Sequence, residues 1–279
     1  MRTVDAPALA AAAEARFRSE YHYAVFEYLR SAKIVAALER GGGVLRGRVL
    51  DSGCGGGGTI VSIAEDVERA VGLDLDARFR DAGTRLAAEK GRHNTCFVQG
   101  DGLALPFADA SFDLVLSHSV IEHVQSAEQY LHECSRVLRP RGLLYLSTAP
   151  YLSFAGAHLP RLRAPIPLHM LFGRHIAFRV FCWLGRHAPW ALVEGREANT
   201  FILRAEQQQA KHDDLLQKVT IRRLARWLRG SGFRQLSQEL TVTGFFRRVL
   251  PSGIRRRLAR TPVAQDVMIG HIQVVLEKP

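Results

Sequence analysis

The run Asp51-Ser52-Gly53-Cys54-Gly55-Gly56-Gly57-Gly58, following the apolar Val49-Leu50, constrains the fold of this chain more than any other feature. Glycine fills five of these eight positions and leaves no room for a continuing strand. The run suits a tight turn whose backbone can approach a ligand, opening into a helix with free N-terminal N–H groups. Gly53, Gly55 and Gly58 match the G-x-G-x-x-G spacing of dinucleotide enzymes, a weak pattern when it stands alone.

The surrounding periodicity supplies the context. Tyr21 to Glu39 carries apolar residues at helical spacing and ends at Gly41-Gly42-Gly43. Strands are expected at 46–51, 70–75, 95–99, 112–116 and 143–147, with helices at 59–69, 77–91 and 127–138 between them. Strands alternating with helices imply βαβ units and a parallel sheet. The rhythm breaks after Pro150. It returns with a helix at 220–228, which Thr220 would cap, and strands at 233–240 and 267–276. The expected organisation is an N-terminal helical cap over 1–44, a doubly wound domain over 45–150 and 220–279, and an insertion over 151–219.

Three carboxylates bear on the ligand. Asp51 stands beside the turn, where it would repel a pyrophosphate and suit an ammonium or sulfonium cation. Asp74, ending the second strand, is placed to accept from ribose hydroxyls, as dinucleotide and S-adenosylmethionine (SAM) sites both require. Asp101, after the third strand, could accept from an adenine amino group. Asp76 reads as the cap of the following helix. Asp51, Gly53, Gly55 and Gly57 also fit an acidic-x-G-x-G turn, so the glycines alone fit two cofactors.

Val49 to Gly57, Val71-Gly72-Leu73-Asp74-Leu75, Gly100-Asp101, Leu105-Pro106-Phe107, Ser111-Phe112-Asp113-Leu114-Val115 and Arg136 to Leu144 follow in order. Together they resemble the class I SAM-dependent methyltransferases of the broad small-molecule type, over about residues 45–150. The resemblance implies a Rossmann-like α/β fold, a doubly wound sheet of seven strands with the last antiparallel. It implies SAM as cofactor, with Asp51, Gly53 and Gly55 near the methionine part, Asp74 on ribose and Asp101 near adenine. Ser52, Cys54, Leu75, Gly102, Leu103 and His118 complete the expected cofactor-binding set. Arg141 stands where such sequences often carry Gly or Lys.

The segment from Ser117 to Val124 faces the transferring methyl group in that family. It lacks the Asn/Asp-Pro-Pro-Tyr of enzymes that methylate base amino groups. Glu122-His123 is similar to a segment of ubiquinone-pathway O-methyltransferases that holds a divalent ion, but Ser119 replaces one of its carboxylates. One carboxylate and one imidazole suit a hard cation poorly, and no metal is expected. His123 could instead act as a general base, since imidazole titrates near neutral pH. The resemblance also implies that the insertion over 151–219 forms an acceptor-binding lid, in which His158 is the second catalytic candidate and His169 a further residue on the acceptor side.

Residues 1–150 hold 17 Lys/Arg against 19 Asp/Glu, whereas 151–279 hold 21 against 8. The basic half suggests an acidic partner. Phe245-Phe246-Arg247-Arg248-Val249-Leu250, Ile254-Arg255-Arg256-Arg257-Leu258 and 164–185 mix Arg with apolar anchors, the composition of an interfacial segment near anionic lipid. The order of motifs after 150 is similar to bacterial methyltransferases of surface-sugar and lipid-linked glycan pathways. The expectation is O-methylation of a small or lipid-linked hydroxyl acceptor, in the cytoplasm or peripherally at the inner membrane face. The alternatives are an RNA methyltransferase, a non-catalytic protein with this fold acting at a membrane surface, and an NAD(P)-dependent oxidoreductase, which Asp51 and Asp101 disfavour. Cys54, Cys96, Cys134 and Cys182 are too scattered for a disulfide framework or a zinc site.

Overall fold

The computed structural model describes residues 5–16, 18–153, 156, 159, 162–163, 166, 168–192 and 217–279. Within them the chain runs α1 (Ala6–Ala15), α2 (Glu20–Arg40), β1 (Arg48–Ser52), α3 (Gly58–Ile63), a 3-10 turn, β2 (Arg69–Asp74), α4 (Arg78–Glu89), β3 (Thr95–Gln99) and β4 (Phe112–His118). It continues through α5 (Ala127–Val137), β5 (Leu138–Thr148), α6 (Leu168–His187), α7 (Ile221–Gly230), β6 (Arg234–Val242), α8 (Gly244–Val249), α9 (Ser252–Leu258), α10 (Pro262–Met268) and β7 (Ile269–Glu277).

The seven strands form one sheet in the order β3-β2-β1-β4-β5-β7-β6. The pairs β1–β2, β2–β3, β1–β4 and β4–β5 are parallel. Lys278 exchanges backbone hydrogen bonds with Arg141 and Gly142, and Gln273 donates to the Tyr145 hydroxyl at 2.9 Å. Residue number therefore rises along β5 as it falls along β7, so β7 is antiparallel. The Rossmann-like sheet with its reversed last strand is thus present. Arg141 sits in the left-handed region (φ 61°), which explains why glycine suits the position.

Helix α2 starts at Ser19, whose hydroxyl accepts from the His22 N–H, and stops at Gly41, whose N–H bonds back to Ala37. Its apolar stripe (Ile34, Val35, Leu38) packs with Ile60 and Ile63 of α3 over Val49, Leu114, Leu116 and Tyr145 of the sheet. Each such side chain contributes about 1.5–3 kcal/mol on burial. A second cluster joins Ala24 of α2 to Val61 and to Ala82 and Leu86 of α4. The N-terminal helix is thereby built into the sheet domain.

Two compact units emerge: Met1–Ser147 with Trp227–Glu239 and Gln273–Pro279, and Thr148–Arg226 with Leu240–Ile272. The expected limits instead set 1–44 apart from the sheet and group 220–226 and 240–272 with it. Three short helices, α8 to α10, fill that stretch, where periodicity alone gives no helix. In the second unit Thr220 caps α7 through the Arg223 N–H, as anticipated, and Asp266 accepts from the Ile221 N–H at 2.8 Å. Helix α6 bends at Gly173 (φ 78°), and Ala177, Phe181 and Leu192 form a local core.

Candidate cofactor site

Strand order reverses between β1 and β4. In an open parallel sheet the crevice beyond the carboxyl ends of the strands at such a switch point is where ligands bind. The Gly-rich turn leaves β1 there, and His118 and Ser119 leave β4 there.

Gly53 (φ 81°), Gly55 (φ 53°) and Gly57 (φ 78°) all adopt left-handed conformations. The turn is pinned to β2, since the Gly53 and Cys54 N–H groups share the Leu73 carbonyl at 2.7 and 2.9 Å. It is pinned again by Asp74, whose carboxylate accepts from the Gly55 N–H at 2.8 Å and from the Asp76 N–H at 2.9 Å. A side chain at Gly55 would press its Cβ to 2.6 Å from Glu27 Oε1 and 3.1 Å from Tyr23 Cε1. Two residues of α2 thus line the turn.

The electrostatics there are one-sided. Asp51 and Glu27 are buried, and Asp74 is half-buried. Burial pushes the Asp51 carboxyl up to about 7 and the Glu27 carboxyl up to about 8, and raises Asp74 as well. Arg30 opposes the first two shifts, with Nη2 at 3.8 Å from Glu27 Oε1. Two buried carboxylates on one guanidinium, with Asp74 beside them, make surroundings that favour a cation.

A shallow cleft opens beside the turn, lined by Cys54, Gly55, Asp74, Ala77 and Phe97 among others. The residues fit SAM. The acidic groups suit an ammonium and a sulfonium, the glycines leave the cradle open, and Ser52 Oγ is buried without a hydrogen-bond partner among the described residues. Asp74 has accepted two hydrogen bonds from N–H groups, and a carboxylate offers about four such sites, so ribose hydroxyls could still be met. The same surroundings disfavour a pyrophosphate.

The sequence model of the family described as "Methyltransferase domain" matches residues 50–146. The methyltransferase YcgJ of Bacillus subtilis, itself uncharacterized, is 33% identical over 123 residues, covering 42% of this chain and 49% of YcgJ. An uncharacterized methyltransferase of Mycobacteroides abscessus is 28% identical over 236 residues, covering 84% and 78%. The latter excepted, the chain spans about half the length, or less, of the first curated relatives it matches. The [4+2]-cyclase SpnF shares the fold, with TM-score 0.55, 18% identity and coverage of 89% of this chain and 80% of that one. Residues 50–146 are a class I SAM-dependent methyltransferase domain.

In this methyltransferase domain the expected cofactor residues fall at two levels. Asp51, Ser52, Gly53, Cys54, Gly55 and Asp74 meet at the turn. Leu75 projects into solvent beside it, 69% exposed. Asp101, Gly102 and Leu103 form a separate turn after β3, where Asp101 Oδ1 accepts from the Leu103 N–H at 2.9 Å. That turn is braced from below. Arg136 binds Glu133 through two nitrogens and the Leu105 and Phe107 carbonyls, and Glu133 Oε2 accepts from the Leu105 N–H at 2.8 Å. Asp76 stands at the entry to α4, where its carbonyl accepts from the Phe79 N–H at 3.3 Å and Ala77 already has helical dihedrals.

At the end of β4, His118 Nδ1 lies 2.6 Å from Ser147 Oγ. Ser119 takes a left-handed conformation (φ 58°) and donates its N–H to the Ser147 carbonyl. A non-glycine residue held there is strained, as residues at functional sites often are. Glu122 is buried and His123 half-buried in the turn that follows. Among the described residues no group of three His, Cys, Asp or Glu side chains stands ready to hold a metal. His158 lies outside the described residues. His169 is buried, with Nε2 at 3.3 Å from the Leu152 carbonyl and Tyr151 edge-on. Burial lowers its pKa, which fits a packing histidine. Glu27, Tyr23 and Arg30 belong to no motif that the sequence displays. The available signal is Glu27 lying in the apolar register of α2, three residues after Ala24 and four before Ser31.

Proposed function

We propose that the chain is a SAM-dependent methyltransferase that methylates the hydroxyl of a small or lipid-linked acceptor. The observation that carries this reading is the acidic cradle of Asp51, Asp74 and Glu27 at the switch point of the sheet. Bound SAM would supply a methyl group activated by its sulfonium. The chain's own share is to hold the cation, seat the nucleoside at Asp74 and the Asp101 turn, and present the acceptor at the end of β4. Positioning supplies much of the acceleration in such a displacement. His123 and His158 are the proposed bases for an acceptor hydroxyl, and His118 would border the methyl group.

The basic second half favours a lipid-linked acceptor over RNA. Phe245, Val249 and Ile254 are exposed on α8 and α9 beside Arg247, Arg248 and Arg255 to Arg257. Exposed apolar anchors among arginines suit an anionic bilayer face, whereas a phosphate backbone asks for the arginines alone. No helix among the described residues is long and apolar enough to cross a membrane. A peripheral seat on the cytoplasmic face of a membrane is the matching location.

Calorimetry with SAM and NAD, on the wild type and Asp74→Ala, tests the cofactor. SAM should bind and NAD should not, and the substitution should weaken SAM about tenfold to a hundredfold, the loss of one or two charge-assisted hydrogen bonds. Unchanged affinity would overturn the site. Incubation with radiolabelled SAM and fractionated extract tests the acceptor. Label in lipid supports the proposal, whereas label in RNA overturns it in favour of the basic half reading nucleic acid.

A further inference from the structure

Glu27 is the one buried carboxylate of the cradle that comes from outside the strand ends. Helix α2 carries it to the turn, where Oε2 takes the Gly58 N–H at 3.4 Å and Oε1 stands where a Gly55 side chain would be. Gly58 needs that closeness, because a Cβ there would meet Glu27 Cβ at 2.8 Å. The groups that act on this cluster come from several elements. Tyr23 and Arg30 lie on α2, Asp51 on β1, Cys54 in the turn, and Asp74 and Asp76 at the end of β2. Arg16, after α1, acts on Tyr23. Arg30 is the one side chain among them that lowers Glu27. A buried site with more carboxylates than cations keeps protons until a cation arrives.

We infer that Glu27 is the third carboxylate of the cation cradle, and that a cationic cofactor enters it by displacing a proton. Glu27 is thereby a positioning residue that tells the charged sulfonium from its neutral thioether product. Glu27 and Asp51, whose carboxyls burial raises, are the groups that release that proton. The inference rests on the SAM reading above.

The test is calorimetric titration of the full chain with SAM, and separately with S-adenosylhomocysteine, in phosphate and in Tris at pH 7. The difference between buffers gives the protons released. The wild type should release about one proton with SAM, and its affinity should rise by up to tenfold per pH unit between pH 6 and 8. The neutral thioether should release less. Glu27→Gln, which keeps the shape, should reduce the release, flatten the pH dependence and narrow the preference for SAM over the thioether several-fold. Wild-type SAM binding with no proton exchanged overturns the inference without needing any variant. So does a Glu27→Gln protein with wild-type release and preference. Absence of SAM binding at every pH overturns the cofactor reading and this inference with it.

Discussion

Replacing Gly58 with alanine should be among the costliest single-methyl changes in the chain. Gly58 opens α3 and lies against the backbone of α2. An added Cβ would sit 2.5 Å from the Tyr28 nitrogen and 2.8 Å from Glu27 Cβ, with the Ala24 carbonyl oxygen closer still. Two of those atoms are backbone, so no side chain can turn away, and the two helices must part. Overpacking of this kind costs about 1–3 kcal/mol, occasionally more. With two backbone clashes the cost lies at the upper end of that range, and alanine regains up to about 1 kcal/mol of helix propensity, so a net loss of about 2 kcal/mol is expected. In a protein of this size that lowers Tm by roughly 4–8 °C. The shift would also carry Glu27 off the turn and weaken SAM binding. Gly230, at the end of α7, is the control, because a Cβ added there would meet no atom within 4 Å. Gly230→Ala should hold or raise Tm. A Gly58→Ala protein that melts within about 1 °C of wild type and binds SAM normally would refute the packing argument.

Two further outcomes follow from the buried charges. Glu27 and Asp51 have raised pKa values in the folded protein, so the native state binds more protons than the unfolded chain. Their contribution to stability is therefore full below the unfolded carboxylate range and is lost as pH rises through about 7 to 8. Ligand-free unfolding free energy should fall between about pH 5 and pH 8, by ~1.4 kcal/mol per pH unit for each excess proton, and level off above the folded values; Glu27→Gln should flatten the fall, and a rising profile would contradict the burial argument. Arg136→Ala leaves the buried Glu133 without its two-nitrogen partner and frees the Leu105 and Phe107 carbonyls. Because Arg136 is partly exposed, the loss should be about 2–3 kcal/mol, read as a lower midpoint in urea, and an unchanged midpoint would refute the brace.

The parallel core was legible because its signals are local. A buried strand reads as an apolar run and a turn as glycines, so β3 falls where the sequence places it and β1, β2 and β4 fall within two residues. The fifth strand begins five residues before the expected start, because Arg139, Pro140 and Arg141 interrupt its apolar run while its backbone still pairs with β4 and β7. Helices α8 to α10 stayed hidden for a different reason. They have six or seven residues each, too short for the helical period to show, and several of their apolar residues, Phe245, Val249, Ile254 and Val263, are exposed.

The site divides along the same line. Asp51, Asp74 and Asp101 follow strands at fixed offsets, so sequence order alone nominates them. Glu27 reaches the turn from 24 residues before Asp51, through the packing of α2 on α3. No spacing rule predicts that approach. A glutamate in the apolar register of an amphipathic helix is nevertheless a readable anomaly. A buried carboxylate must be paired, protonated or waiting for a cation. With Arg30 as the cation that opposes the shifts of both Glu27 and Asp51, pairing is incomplete, and protonation and cation binding become alternative states of one site. On the inferred proton displacement, charge balance within the cradle would tie the N-terminal helix to cofactor recognition more closely than its place in the sequence suggests.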